Sequence, residues 1–418
     1  MSNAVFVLDH DQHPLKPVHP AVARQMLSAK QAAVFRRYPL TIICQLGVST
    51  GEACPLRLKI DPGSKTTGLA IVDDNRVLWI AELTHRGQPI KAALDTRRAV
   101  RRSRRQRHTR YRQARFLNRT RPEGWIAPSL RSRVENVMTW VARLARYARI
   151  TALSQELVCF DMQLMQHADM AGVEYQQGAL AGYEVREYLL EKWKRTCAYC
   201  QKTGVPLQVE HIISKARGGS NRVANLTLAC GPCNQKKGTQ TAAEFGFPQV
   251  QAQAKQPLKD AAAVNTTRWA LYEALKTTGL PVERGTGGRT KYNRTRLGIA
   301  KSHWGDAACV GASTPDTLAV ASQQTLQIKA VGHGSRQMCR TDAYGFPSRH
   351  LCRATTFLGF ATGDIVEARI PTGKHAGAHT GRVTIRQRAS FRLNGRDVHP
   401  KYLTVIHKKD GYAYSTPV

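Results

Sequence analysis

Cys197-x-x-Cys200 and Cys230-x-x-Cys233 place four thiols in two knuckles of metal-binding spacing. Tetrahedral Zn²⁺ prefers soft sulfur and each pair closes a tight turn around it, so structural zinc is the first chemistry suggested. The gap between the pairs is longer than in common zinc ribbons, so a further element folds between them. It carries Glu210 and His211 in succession and then Asn225, and Asn234 follows directly on the last cysteine. A zinc knuckle with an incidental histidine is the plain alternative. A second set is spread along the chain: Asp61, Glu156, His303 and Asp306. Phosphodiester cleavage by two metal ions needs convergent carboxylates that bridge and flank the ions, stabilising attacking and leaving oxygens. His303 and Asp306 stand one helical turn apart and can face one site.

The segment CAYCQKTGVPLQVEHIISKARGGSNRVANLTLACGPCNQKKG resembles the HNH nuclease motif, a ββα element that grips one hydrolytic metal ion. The resemblance implies that His211 is the general base for the water attacking a phosphodiester, a task suited to an imidazole. It also implies that Asn234 and Glu210 hold Mg²⁺ through hard oxygen ligands, and that Asn225 braces the loop.

The elements that must position the carboxylates follow from apolar spacing. A strand over 56–60 delivers Asp61 to an Asp-Pro-Gly turn, and two further strands, the last over 77–83, continue a meander. An acidic residue at the end of a first strand, ahead of a meander, resembles the way RNase H-like nucleases present a metal carboxylate. Val134, Val137, Met138, Val141, Leu144 and Ala148 form one face of a helix over 130–148. A strand over 150–157 then carries Glu156, with Asp161 within reach. His303 opens a small-residue helix that holds Asp306. The glycine-rich passage 284–294 lacks the strand-then-helix setting of a nucleotide-binding loop and reads as phosphate-contacting backbone or a flexible hairpin.

Charge names the class of partner. The 418 residues carry a formal net charge of +34, which suits phosphate neutralisation with counterion release. No amphipathic anchor, lipidation motif or apolar run of spanning length favours a membrane. Residues 96–121 hold twelve arginines and no acid. Arg97, Arg98, Arg101, Arg102, Arg104, Arg105, Arg107, Arg110, Arg112, Arg115 and Arg119 lie among strong helix formers, so a long arginine helix against nucleic acid is expected. The first residues, MSNAVFVLDHDQHPL, show no basic region followed by an apolar core, and the six cysteines outside the pairs are scattered, which leads to an expectation of a cytoplasmic protein.

Around these parts, residues 5–8 and 38–43 read as strands flanking a helix over 20–36, through Val22, Met26, Ala29 and Ala33. Residues 172–178 and 249–259 read as linkers, so the zinc module looks inserted between two halves of another domain. From about 325 onward strands dominate, suggesting a small basic barrel, with Asp410-Gly411 as a hairpin turn.

Taken in order, the blocks LKIDPGSKTTGLAI, the arginine run, ITALSQELVCFD, the zinc module and KSHWGDAACVG resemble IscB, the transposon-associated family of RNA-guided nucleases related to type II CRISPR effectors. The N-terminal module departs from the family's PLMP motif, reading Pro14-Leu15-Lys16-Pro17. The resemblance implies an α/β multidomain chain: a PLMP-like module at 1–55, an RNase H-like (RuvC) fold split over 56–95, 123–170 and 249–324, a bridge helix at 96–122, HNH at 171–248 and a β-rich domain at 325–418. It implies a guide (omega) RNA paired with one strand of duplex DNA, HNH cutting the paired strand and RuvC the displaced one. Asp61, Glu156 and Asp306 would hold a two-Mg²⁺ site with His303 assisting, HNH would hold one Mg²⁺, and the C-terminal region would read a target-adjacent motif. The expected particle is a monomeric ribonucleoprotein at the prokaryotic nucleoid. An unguided HNH/RuvC endonuclease acting on branched or nicked DNA is the chief alternative, and a non-catalytic RNA-binding or transposition accessory protein a further one.

Overall fold

The computed structural model describes residues 3–108, 111, 125–157, 186, 189–190, 192–219, 223–255, 261–320, 324–334, 338–351, 354–386 and 390–415. Asp161, the linker 172–178, Arg110, Arg112, Arg115 and Arg119 lie outside them.

A small module opens the chain: β1 (Phe6–Leu8), α1 (Pro20–Ser28), β2 (Ala32–Arg36) and β3 (Thr41–Cys44), in the sheet order β1-β3-β2. The helix expected over 20–36 ends at Ser28. Lys30 takes a left-handed φ of 56°, and the β-branched and aromatic run that follows pairs antiparallel with β3. Ala23 and Met26, rather than Val22, face the core.

The central sheet is built from β4 (Leu56–Asp61), β5 (Thr66–Asp73), β6 (Arg76–Thr84) and, after two helices, β7 (Ile150–Glu156). The helices are α2 (Gly87–Gln106) and α3 (Pro128–Tyr147). β4, β5 and β6 form an antiparallel meander, and β7 runs parallel to β4. Period-two alternation sorts the meander between two apolar layers. Leu58, Ile60, Leu69 and Ile71 pack with Val137, Trp140 and Leu144 of α3. Ala70, Val72 and Ile80 pack on the opposite face against Ala307 and Ala308.

Between β7 and the rest of this layer stands the cysteine module, with β8 (Leu207–His211), β9 (Leu226–Cys230), α4 (Gly231–Lys237) and α5 (Pro248–Lys255). The second expected linker is largely α5, whose Val250 and Ala254 are buried in the module's core. The chain returns through α6 (Ala261–Lys276), β10 (Val282–Gly285), α7 (Gly287–Arg296) and α8 (His303–Ala308). The glycine-rich passage is therefore a strand-to-helix unit, not a hairpin. β10 pairs parallel with β7, and the Thr286 hydroxyl caps α7 by accepting from Arg289 N–H at 3.3 Å.

The C-terminal strands also divide differently from expectation. β11 (Leu326–Ala330) and β21 (Tyr412–Ser415) join the central sheet, giving the order β10-β7-β4-β5-β6-β11-β21. Between them come two short pairs, β12 (Cys339–Thr341) with β13 (Pro347–His350) and β14 (Thr356–Phe357) with β15 (Phe360–Ala361). A five-stranded sheet follows from β16 (Ile365–Ile370), β17 (Gly377–Thr384), β18 (Phe391–Leu393), β19 (Arg396–Val398) and β20 (Leu403–His407). Its order is β19-β18-β17-β16-β20, with no pairing between the outer strands among the described residues, so it is an open sheet rather than a barrel. Asp410-Gly411 links two sheets and is not a hairpin turn. Tyr412 and Tyr414 hold the last strand by packing edge-on to Trp140 at 5.8 and 6.1 Å. Asp410 accepts from Arg36 (2.9 Å) and lies 3.1 Å from Arg143, tying the N-terminal module and α3 to this strand. No helix among the described residues is long and apolar enough to cross a membrane.

Candidate active sites

Asp61 ends β4, and the register that pairs Ile60 with Gln155 brings the next residues, Asp61 and Glu156, side by side. On the other flank Asp61 pairs with Gly68 of β5. A Cβ at Gly68 would lie 1.8 Å from the His303 carbonyl oxygen, so only glycine lets α8 press onto the strand beside Asp61. Ser302 caps α8 by accepting from Gly305 N–H at 3.0 Å, which sets His303 and Asp306 on the first turn. Behind the sheet the fully buried Lys59 donates to Val310 O (2.9 Å) and Thr314 Oγ1 (2.8 Å), pinning the chain that leaves α8. Burial pushes this ammonium down to about 8, with Glu283 opposing the shift.

Asp61, Glu156, His303 and Asp306 thus line one cleft of about 550 Å³, although they come from three distant stretches of sequence. Glu82 of β6 lines it as well, as do Lys194 and Arg195 from the entry to the cysteine module. Two arginines that sequence reading missed hold the carboxylates. Buried Arg268 of α6 donates from Nε to Pro62 O (3.1 Å) and places Nη2 3.5 Å from Glu156 Oε1. Arg294 of α7 sets Nε 2.8 Å from Asp306 Oδ1. Arg268 lies in no motif and Arg294 ends the glycine-rich passage, and only the packing of α6 and α7 on the sheet brings them to the carboxylates. The three carboxylates do not form a set within 4.8 Å of one another. Their hard oxygens are nevertheless the donor type that Mg²⁺ takes, with arginine as counter-charge.

The second site lies in the cysteine module. The four Sγ atoms of Cys197, Cys200, Cys230 and Cys233 all fall within 4.8 Å of one another. Zn–S bonds of about 2.3 Å require tetrahedral edges of roughly 3.8 Å, and Cys200 Sγ stands 3.7 Å from Cys230 Sγ. Burial pushes the Cys197 thiol up, but N–H groups of Cys200, Cys230 and Tyr199 outweigh it and bring it down to about 7. A thiolate near neutral pH is a ready metal ligand. The set fits zinc. Chelating that zinc should unfold this module while the central sheet survives, because structural zinc binding energy is largely folding energy. Metal analysis should find one zinc per chain. Hydrogen exchange across 197–255 that is unchanged by chelation would refute the assignment.

Asn225 clamps the loop after β8, accepting from Ile213 N–H at 2.9 Å and donating to Ile213 O at 3.0 Å. Asn234 sits on α4 and donates to Gln208 Oε1 at 2.8 Å. His211 ends β8 half-buried, its carbonyl accepting from Lys237 Nζ at 2.9 Å. Glu210, the ligand expected beside it, is held within the module. Strand alternation turns it away from the face of His211, and its carboxylate accepts from Tyr199 Oη and lies against Lys237 Nζ, both at 2.6 Å. A carboxylate engaged this way braces the module's core.

The arginine helix is exposed along α2, where only Gly87 is buried. A Cβ at Gly87 would lie 2.7 Å from Arg133 Nε, so glycine permits α2 to cross α3 at its root. Just before it, His85 Nε2 meets Thr67 Oγ1 at 2.7 Å, and burial pushes this imidazole down to about 3, with Arg133 adding to the shift. It stays neutral and ties the helix root to β5. Arg97, Arg98, Arg101, Arg102, Arg104 and Arg105 project from the helix, and Arg107 beyond it donates to Ala343 O at 3.3 Å.

Residues 197–249 match the family model of the HNH endonucleases, and residues 5–178 match that of the RRXRR proteins. The chain therefore carries a metal-dependent HNH endonuclease domain. No curated protein matches the sequence. Among solved structures the chain is similar to Streptococcus thermophilus Cas9 in complex with the GGAA PAM, at 14% identity and a TM-score of 0.23. The same Cas9 in complex with the AGAA PAM gives 13% and 0.23. Each alignment covers 62% of this chain and 32% of the Cas9 chain, so this protein spans about a third of their length. Superposition at that level establishes no shared fold.

Proposed function

We propose that the protein is an RNA-guided DNA endonuclease with two cutting sites. The observation that carries this reading is the meeting of Asp61, Glu156, His303 and Asp306 in one cleft, from segments interrupted by an arginine helix and by an HNH domain. The strand order β6-β5-β4-β7-β10, with β5 alone antiparallel to its neighbours on both sides, supports an RNase H-like (RuvC) domain split in three. Asp61, Glu156 and Asp306 would hold magnesium, which supplies Lewis-acid chemistry when bound. Arg268 and Arg294 balance the carboxylate charge, and His303 assists from the first turn of α8.

In the HNH domain His211 takes the proton of the attacking water, Asn225 fixes its loop and Asn234 would hold the metal ion. The guide RNA pairs with one DNA strand, which His211 serves, and the displaced strand enters the carboxylate cleft. The arginines of α2 grip the guide–target duplex by its phosphates. The C-terminal sheet reads a short target-adjacent motif in the duplex. The working particle is a monomeric ribonucleoprotein in the cytoplasm, at the nucleoid.

Expressing the gene with its flanking non-coding DNA, purifying in high salt and sequencing the retained RNA tests this. One discrete RNA encoded beside the gene is the expected result. Heterogeneous host RNA, or none, would assign the protein to unguided cutting of branched or nicked DNA.

A further inference from the structure

Helix α7 has two chemical faces. Gly287, Thr290, Lys291 and Arg294 line the carboxylate cleft. At 3.6 residues per turn, Arg289, Tyr292 and Arg296 fall on the opposite side, where they border a second cavity of about 530 Å³ with Thr314 and Pro315. Tyr292 is 63% exposed, and the Arg296 guanidinium lies 5.9 Å from its ring centroid. Arg296 also donates to Pro315 O at 2.8 Å and pairs with Asp316. The Asp316 side chain is 95% exposed, so that pair is a surface one and competes weakly with a phosphate.

An aromatic ring left in solvent beside one guanidinium, in a cavity that a second arginine also lines, is the equipment of sequence-tolerant single-strand binding, in which a base stacks on the ring and arginines take the backbone. We propose that this face holds a single DNA strand just outside the cleft, one base stacked on Tyr292 and the neighbouring phosphates on Arg289 and Arg296. The inference rests on the assignment of the cleft to strand cleavage. The cavity is of small-ligand size, with room for one nucleotide. A strand leaving the carboxylates reaches it by rounding one helix, about 10 Å across. Duplex DNA is excluded as the occupant, because its bases already stack on one another and offer no face to the ring.

The test uses the full-length, zinc-loaded protein with no magnesium added, so that nothing is cut, and a short oligothymidylate carrying one 5-iodouracil. After irradiation, the peptide holding Tyr292 should carry the major adduct. Tyr292→Ala should weaken oligothymidylate binding by roughly 5- to 150-fold at fixed salt, the loss expected for one stacked base. Tyr292→Phe, which keeps the ring, should bind within about twofold of the native protein. Arg289→Ala should reduce the slope of log K against log salt by about 0.7, one single-strand phosphate contact. Adducts confined to other aromatic residues, or native affinity in Tyr292→Ala, would overturn the proposal. The binding readout needs no magnesium, so it is separate from the failure of the cleft assignment, which would show as cutting that survives loss of Asp61.

Discussion

Asp61→Ala should turn a double-strand break into a nick, with the displaced strand left intact and the paired strand still cut. The loss on the displaced strand should be roughly 10²- to 10³-fold, the scale seen when one preorganised charge-stabilising group is removed from a reaction centre. Asp61 stands between Glu156 on one side and Gly68, against which α8 packs, on the other, so it is the central carboxylate of the set that would hold magnesium. Its removal also leaves Arg268, which donates to Pro62 O and faces Glu156, with less negative charge to balance. Asp61→Asn separates charge from shape, since it keeps the volume beside Gly68. Denaturing gels with the two strands differently labelled give the readout. Double-strand cleavage that survives Asp61→Ala would sink the assignment of this cleft.

His211→Ala should give the reverse nick, with the paired strand protected by roughly 10²- to 10⁴-fold, the usual contribution of a positioned general base. The substitution should leave the domain folded. The bond from Lys237 to the His211 carbonyl does not involve the imidazole and is kept, and the zinc thiols and Asn225 clamp lie elsewhere. Equal cutting of both strands by His211→Ala would refute the base role. Glu210→Gln distinguishes the two readings of that residue. With its carboxylate held by Lys237 and Tyr199, the expected result is lost stability of the domain rather than a selective loss of metal affinity.

The contrast between Glu210 and His211 shows where sequence reading stops. Both residues stand at motif spacing, and both looked available for metal chemistry. Adjacent residues on a strand point to opposite faces, and which face meets Lys237 depends on how α4 packs against β8. The same limit applies to residues 249–255, whose polar composition suggested a linker. Val250 and Ala254 suffice to bury one side of a helix against the module. In the C-terminal region, strand character was legible in β-branched residues, but sheet membership was not. Tyr412 and Tyr414 join the central sheet because Trp140 of a distant helix offers them an apolar wall.

What the sequence determined by itself is chemistry that lives in short spacing: two cysteine knuckles, a histidine and asparagines between and beside them, an acidic residue at a strand end, and His303 one turn from Asp306. These need only local geometry, fixed by a knuckle, a turn or a helical period. The net charge of +34 likewise follows from composition alone and points to a polyanionic partner. Only the tertiary structure decided that Asp61, Glu156 and Asp306 share a cleft, that Arg268 and Arg294 hold Glu156 and Asp306, and that one helix divides the cleft from a second basic cavity. Parallel strand register, a missing Cβ at Gly68 and the packing of α6 and α7 bring those residues together, and each is a contact between residues far apart in the chain.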